Sequence, residues 1–468
     1  MRQHFECVLP CALSCRVIDR FSVLEDSCED SDGSVPFWLL LKELLRQNIT
    51  AWPSLLDLLE TISVTLRGST AAAGDYGSLR LAIANESSFF TDIWPSILRF
   101  AVALPKVFTS ETIPKLAPGQ TLSLSQSQCA SLLAHQFLCS FESPRPDFYD
   151  FSVWYDSSQR HPLAVSAYLH SLFTYFRVRG TQTRSEVEVK VVEYSLWSAE
   201  AATNPDQATT LSSHCWETTQ LSKIGIRKLT LHSTEFHNIE HLGNAGAVVI
   251  SANKDIGFGQ SATQEELHVG AAPESCVAVL FTPQLKDEQA LSINSAQPII
   301  QFKGQRRDIS WKTHDPLVAG GRLLFMDALE IDLADPGSPG NDQNGDTNAG
   351  LLPDLAEKNM ERELKKAFAG FTSWPLTADS TVVTGFWGCG AFNGEPTVKL
   401  LLLWMAASLA RRNLRVVFDE AEWEYGSSFE KLIEWKSLKS VADVMCLLRS
   451  VPKSTRRLDV MQWLNDNE

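Results

Sequence analysis

Apolar residues recur at helical spacing through residues 36–65, with polar residues between them, and predict helical structure there. Ser87–Val107, Ser125–Phe141 and His161–Arg179 follow the same rule. Ser125, with Gln128 three residues later, reads as a capping box. The first third of the chain is therefore expected to be a helical layer. Near residue 186 the period changes. Glu186–Tyr194 alternates apolar and polar, a strand signal. Ala245–Ser251, Val277–Thr282 and Gln297–Phe302 are short apolar runs that read as strands, and Arg322–Leu333 reads as a strand and its exit. Further strands are expected at Thr381–Thr384 and Arg415–Phe418, with helices at Glu357–Phe371 and Pro396–Arg411. Strands alternating with helices predict an α/β sheet flanked by helices. Residues 335–353, rich in Gly, Pro, Asn and Asp, read as a flexible loop insertion. That stretch fails the calcium-loop pattern, because counting from Asp342 puts Thr347 at the sixth position and Pro353 at the twelfth.

Composition narrows the classes. The chain has 468 residues and 44% hydrophobic content, an ordinary globular balance. It carries 41 Lys and Arg against 56 Asp and Glu, a net charge of −15. That argues against broad binding to naked nucleic acid, though not against a local basic pocket. Ten cysteines without a CxxC pair do not make a disulfide framework. Cys7, Cys11 and Cys15 are spaced to line one helix face, but no His joins them at finger spacing, so reduced thiols are expected and no metal. Glu6 interrupts the only candidate secretory core, and the run Leu400–Ala410 is too short to span a bilayer. An intracellular protein without a membrane span is expected.

Three segments carry candidate chemistry. In Ser251–Pro273 an apolar strand runs into Asn253, a Gly257-Phe258-Gly259 turn, and then Gln264-Glu265-Glu266. Glycines after a strand let backbone N–H groups approach a diphosphate. Two adjacent carboxylates suit glycosidic chemistry, one orienting a ribose while the other donates and then accepts a proton. Taken alone, such a pair is more often a solvated helix start. In Thr384–Glu395, four glycines precede the helix at Pro396, a place for phosphates on backbone N–H groups at a helix N-terminus. A tight packed turn explains it equally, and the dinucleotide fingerprint fails at Asn393. In His237–Gly246, Glu240 precedes a strand and is able to accept from an adenine amino group. A surface carboxylate is the commoner explanation. His237 and His241 lack the pattern of a zinc helix.

Together these segments resemble the eukaryotic-type poly(ADP-ribose) glycohydrolases. The resemblance rests on Gly257-Phe258-Gly259 with Gln264-Glu265-Glu266, on Trp387–Phe392, on the helix Lys358–Phe371 and on Leu124–Phe141. It runs in the family's order from about residue 90 to 450. It implies a macrodomain-like mixed α/β sheet flanked by helices, with an N-terminal α-helical accessory region. It also implies cleavage of ribose–ribose O-glycosidic bonds in poly(ADP-ribose) without metal or other cofactor. The resemblance makes Glu266 the acid/base and Glu265 the holder of the scissile ribose hydroxyls, with Gln264 and Asn253 lining that site. It puts Gly257, Gly259, Gly388, Gly390 and Ala391 around the diphosphate. Ile239 and Glu240 fall at the adenine, and Phe392 beside the ribose or diphosphate. A general acid here needs a raised pKa, which burial beside Glu265 would supply.

Some positions depart from the family's pattern. Ile250 stands for an Asp, Phe258 for a glycine, Gln305 for a substrate-clamping Tyr, and Phe386 for an Asn. Phe302 and Trp311 are the aromatic candidates to replace the clamp. The departures leave two further readings open: a binding module that reads ADP-ribose without cutting it, and a hydrolase of another ADP-ribosyl or nucleotide-sugar bond. The expected division is a mixed segment 1–35, a helical accessory region 36–180, a catalytic domain 181–450 and a tail 451–468. The expected partners are poly(ADP-ribose) and ADP-ribosylated proteins, met by a monomer in the nucleus or cytoplasm, with no sequence-specific nucleic-acid binding. Attraction to an anionic polymer would fall to Lys254, Lys303, Arg306 and Arg307. Lys453–Arg457 is a weak basic cluster, more often a surface helix end.

Overall fold

Gly246–Ala252 is apolar at successive positions, so it needs cover on both faces and cannot lie at an edge. In the computed structural model it sits inside an eight-stranded mixed sheet. The model describes residues 6–24, 29–68, 75–141, 150–182, 190–199, 218–228, 246–304, 309–314, 319–331, 352–377 and 380–467. In chain order the sheet strands are β1 (Thr121–Ser125), β2 (Val191–Ser198), β3 (Ile224–Lys228), β4 (Gly246–Ala252), β5 (Gln289–Asn294), β6 (Arg322–Asp327), β7 (Thr381–Thr384) and β8 (Asn413–Phe418). Across the sheet they run β1-β2-β5-β6-β4-β7-β8-β3. The pairs from β6 to β3 are parallel, and those from β1 to β6 antiparallel.

Side chains alternate across each strand, and this splits the core in two. Val248, Ile250 and Ala252 of β4 face one apolar cluster, and Ala247 and Val249 face another. The first cluster belongs to helices α1 (Phe37–Leu45), α2 (Trp52–Arg67), α3 (Gly77–Ala84), α4 (Trp94–Val102), α5 (Gln126–Phe137) and α6 (Pro162–Thr181), and to α7 (Gln264–Ala271). The second belongs to α8 (Glu357–Phe371), α9 (Pro396–Leu409) and α10 (Trp423–Trp435), with later helices at Val441–Ser450 and Val460–Asp466. α9 is buried along its whole length, which is why its sequence shows no polar face.

Several expectations meet the structure closely. Ser125 and Gln128 form the reciprocal capping box of α5, and α8 and β7 match their expected spans. The helical stretch 87–107 is broken instead: a π-type turn at Phe89–Ile93 precedes α4, and a separate turn follows at Leu104–Val107. Pro95 and Pro105 each open a new segment, because proline has no N–H for a preceding turn. Val277–Thr282 is not a strand. Pro273–Leu280 is a buried 3-10 helix, and a short apolar run cannot distinguish the two by period. Its Glu274 pairs with Arg179 of α6 in a fully buried ion pair. The strand at Gln297–Phe302 shortens to Ile300–Lys303 and joins Ser310–Thr313 in a separate ribbon. Cys7 lies in a strand, Cys7–Val8, and no helix gathers it with Cys11 and Cys15. In the segment 451–468, Val460, Met461 and Leu464 are buried on a short helix. The insertion 335–353 lies outside the described residues except for its last two positions. Among the described residues, no helix is long and apolar enough to cross a membrane, and no His/Cys/Asp/Glu group is arranged to hold a metal.

Candidate active site

Two loops leave the C-terminal ends of neighbouring parallel strands. β4 ends at Ala252 and β7 at Thr384, and the two strands pair directly. Open α/β sheets collect ligands at this edge. The first loop runs from Asn253 to Ala262 and feeds α7. Ala262 takes a left-handed φ of 54°, a strained conformation for a residue with a Cβ. Thr263 then caps the helix. Its hydroxyl accepts from the Glu266 N–H at 3.5 Å, and the Glu266 carboxylate accepts from the Thr263 N–H at 2.9 Å. The pair of carboxylates therefore begins a helix for a local reason, since the positive end of the helix favours them.

Successive helical residues point about 100° apart, and the three side chains of the Gln-Glu-Glu run go three ways. Gln264 folds back on β4, accepting from the Ser251 N–H at 3.0 Å and donating to the Val249 carbonyl at 3.5 Å. Glu265 turns inward. Its two carboxylate oxygens accept from the N–H groups of Asn253 and Gly257, each at 2.8 Å. Burial pushes its pKa up to about 8; the charges of Glu266 and Asp327 add to the rise, and the two N–H donors oppose it. Glu266 stays half-buried beside Gly259. A Cβ at Gly259 would lie 2.1 Å from Glu266 Oε1, so a larger residue there would push the carboxylate from its present place. Asn253 is exposed, and its Oδ1 accepts from the Asp255 N–H at 3.0 Å, which shapes the start of the loop.

The glycines divide their work. The Gly257 N–H is taken by Glu265, so it is not available to a ligand. The N–H groups of Phe258 and Gly259 have no acceptor among the described residues. In the second loop, Gly388 has a φ of +72°, and a Cβ there would lie 2.3 Å from the Ala328 Cβ. Hydrogen bonds from Cys389 to Phe386, from Asn393 to Gly390 and from Gly394 to Gly388 close this turn. The N–H groups of Gly390, Ala391 and Phe392 are left without an acceptor among the described residues, and Gly390 and Ala391 are exposed. Successive free N–H groups in a turn make an anion-binding concavity. Gly388→Ala should cost about 1–2 kcal/mol for its φ and a further 1–3 kcal/mol or so for the overlap with Ala328. Urea denaturation checks this, and a loss below about 1 kcal/mol would mean that the turn yields without strain.

The helix N-terminus expected to hold phosphates is already filled. Glu395 is fully buried and caps α9, accepting from the Val398 N–H at 2.7 Å. Burial raises its pKa to about 7. A second carboxylate, Asp354, accepts from the Glu395 N–H at 3.1 Å. A ligand anion therefore belongs on the turn before the helix and not on the helix end.

Two residues that local sequence did not mark hold this turn. Lys399 is fully buried beneath it, paired with Glu363 and 3.5 Å from Asp354, with its ammonium 5.3 Å from the Trp387 ring centre. Arg457 donates from Nε to the Gly394 carbonyl and from Nη2 to the Cys389 carbonyl, both at 3.0 Å. Arg457 belongs to the basic cluster that resembled a surface helix end. Trp387 anchors the turn to β6 by donating to the Met326 carbonyl at 2.9 Å. Phe392 is half-buried, and its carbonyl accepts from the Ile331 N–H at 3.1 Å. Ile239, Glu240, Gln305, Arg306 and Arg307 lie outside the described residues, while Lys254 and Lys303 are exposed.

Comparison with known proteins bears directly on this arrangement. Residues 81–195 match the helical-domain model of poly(ADP-ribose) glycohydrolase, and residues 216–423 match its model of Macro domain fold. The chain belongs to the poly(ADP-ribose) glycohydrolase family. Poly(ADP-ribose) glycohydrolase 1 of Caenorhabditis elegans is 27% identical over 339 residues, covering 69% of this chain and 39% of that protein. Poly(ADP-ribose) glycohydrolase 2 of the same organism is 31% identical over 183 residues, 35% of each. The chain thus spans well under half the length of these two relatives. The solved poly(ADP-ribose) glycohydrolase of Thermomonospora curvata is 14% identical, covers 57% of this chain and 98% of its own, and has a TM-score of 0.35, a likeness too distant to carry any argument.

Of the positions that depart from the poly(ADP-ribose) glycohydrolase pattern, Ile250, Phe258 and Phe386 have structural explanations, and Gln305 lies outside the described residues. Ile250 is fully buried in the core under the helical domain. The Phe258 ring packs against Phe151 and Trp154, with centroids 5.0 and 5.2 Å away. Phe386 packs edge-on against Phe418 and Tyr425. Phe302 meets Tyr168 at 5.7 Å and Trp311 meets His170 at 4.4 Å, so both proposed clamp substitutes fasten the ribbon to α6.

Proposed function

We propose that this chain is a poly(ADP-ribose) glycohydrolase that hydrolyses ribose–ribose O-glycosidic bonds and releases ADP-ribose. The observation that carries the proposal is Glu266, held at the first turn of α7 against Gly259, beside the free N–H groups of the first loop. The diphosphate is received by Phe258 and Gly259 on one side and by Gly390, Ala391 and Phe392 on the other. Glu266 protonates the departing ribose oxygen as the bond to the anomeric carbon breaks. It then takes a proton from the water that attacks that carbon. Glu265 acts from beneath: its two accepted hydrogen bonds set the shape of the first loop, and Gln264 ties the start of α7 to β4. Ile239 and Glu240 are assigned to the adenine on the resemblance alone. Action in the nucleus or cytoplasm is part of the same proposal.

The test is release of ADP-ribose from defined poly(ADP-ribose) by the purified chain, with mono-ADP-ribosylated Ser, Arg and Glu peptides alongside. Release from polymer is the expected result. Binding of ADP-ribose without release would make the chain a reader, and release from a peptide alone would make it a different ADP-ribosyl hydrolase.

Glu265 adds a pH dependence. Its carboxyl is neutral below about 8 in the folded protein. Ionisation above that places a negative charge beneath the loop that receives the diphosphate, so kcat/KM should fall through an alkaline limb near that pH. Stability moves the same way. The unfolded chain loses this proton near the ordinary glutamate value of 4.5 and the folded chain keeps it to about 8, so stability falls as pH rises between the two. A kcat/KM profile flat from neutral pH to well above 8 would rule out the assignment.

A further inference from the structure

The first loop is shaped from beneath by Glu265, but its outer side is held by the helical domain. A 3-10 turn, Phe151–Trp154, reaches the loop from that domain. The Trp154 indole N–H donates to the Gly259 carbonyl at 2.8 Å. The Trp154 and Phe151 rings stack with centroids 4.7 Å apart, and Phe258 packs against both. The turn is itself rooted. Asp150 caps it by accepting from the Ser152 N–H at 3.0 Å, and Arg67 of α2 pairs with Asp150 at 2.7 Å. Behind Trp154 lies Tyr168 of α6, centroid to centroid 5.3 Å, whose ring lies against Gly270 of α7. The helical domain therefore touches both sides of the catalytic element: the loop before α7 through Trp154, and α7 itself through Tyr168.

Gly259 is where this matters. Its Cα forms the wall against which the Glu266 carboxylate rests. A loop that moved outward at Gly259 would remove that wall and let the carboxylate swing. We propose that Trp154, with Phe258, is a positioning latch by which the helical domain fixes Glu266 for catalysis. This gives the phenylalanine of the Gly-Phe-Gly turn a purpose. In place of a bare glycine, the loop carries a ring that plugs into the helical domain. Trp154 does not touch substrate; it acts through Gly259. The inference rests on the proposed role of Glu266.

The test uses the full chain carrying Trp154→Phe, which keeps an aromatic ring but removes the indole N–H and trims the ring, so a small loss of packing accompanies the loss of the hydrogen bond. Loss of one hydrogen bond that fixes the loop should lower kcat on poly(ADP-ribose) by roughly five- to tenfold. The unfolding midpoint should fall only slightly, and the ADP-ribose Kd should rise much less than kcat falls, because the second turn still receives the diphosphate. Phe258→Gly should lower kcat in the same way, and the double variant should be little worse than the poorer single, because both release one loop. Hydrogen exchange of the peptide spanning residues 257–263 should quicken in Trp154→Phe without quickening in α5. Wild-type kcat and unchanged exchange in Trp154→Phe would overturn the latch. So would a rise in Kd as large as the fall in kcat together with a steep fall in the midpoint, which is the mark of general destabilisation. Wild-type protein that releases no ADP-ribose would defeat the glycohydrolase reading, while the exchange measurement would still decide whether the helical domain holds the loop.

Discussion

Replacing Glu266 by Gln should lower kcat for ADP-ribose release by roughly a hundred- to ten-thousandfold, the usual worth of a positioned acid/base. ADP-ribose binding and the unfolding midpoint should be retained. The substitution isolates chemistry because of how the residue is held. Glu266 is the reciprocal partner of Thr263 in a capping box, and Gln serves that position as well as Glu. The amide oxygen accepts from the Thr263 N–H as the carboxylate does, so α7 still starts where it starts now. The amide also has the carboxylate's size, so it still fits against Gly259. What disappears is the ability to give and retrieve a proton. Rates of release and ADP-ribose titrations on both proteins decide the matter. A variant that turns over polymer within a few-fold of wild type would move the acid/base elsewhere. Glu265 would then be the next carboxyl to test.

Lys399→Met should destabilise the fold by about 3–5 kcal/mol, the usual result of removing one partner from a buried ion pair. Met matches the stem in length, so packing under Trp387 and Gly394 is largely kept and the charge alone is lost. Glu363 then relies on Arg362 and the Leu329 N–H, and among the described residues Asp354 keeps only the Glu395 N–H. Burial already raises the Asp354 pKa against the pull of Lys399. Losing that pull raises it further, so Asp354 takes up a proton more readily and the deficit should shrink as pH falls. Urea denaturation at neutral and mildly acidic pH measures both effects. A loss below about 1 kcal/mol would show that Arg362 compensates for the missing charge.

What could be read in the chain beforehand was what depends on near neighbours. Ser125 and Gln128 are three residues apart, and their capping box follows from spacing alone. The apolar run of β4 and the glycines after β4 and β7 likewise marked the sheet edge at which the loops meet. The edge strands β1 and β3 were not anticipated, because a strand paired on one side tolerates polar residues and TLSLS and IGIRK carry little apolar signal. In the site, the Gln-Glu-Glu run was visible, but the division of labour among its three side chains was not. It depends on where the N–H groups of Ser251, Asn253 and Gly257 fall in space. Trp154 lies 105 residues from Gly259, and Arg457 lies 68 from Cys389. No local period or motif encodes contacts of that range. The N-terminus of α9, expected to be open to phosphates, is capped for a related reason: a glutamate before a helix turns in as its cap when it is buried, and burial is not written in the local sequence.

β1 and the first part of β2 fall in the stretch matched by the helical-domain model, yet they are strands of the central sheet. β2 pairs with β5 along six positions, from Glu193 with Asn294 to Ser198 with Gln289. The boundary between the two matched stretches is therefore not a seam in the folded protein. Severing the chain between residues 199 and 218 would leave one piece with two strands lacking a sheet. The other would keep a sheet with the raw edge of β5 open to any passing strand. Neither half would be expected to stay soluble alone. Made together, the two would have a ready means of finding each other, since the edge that makes each one sticky is the surface the other was shaped to cover.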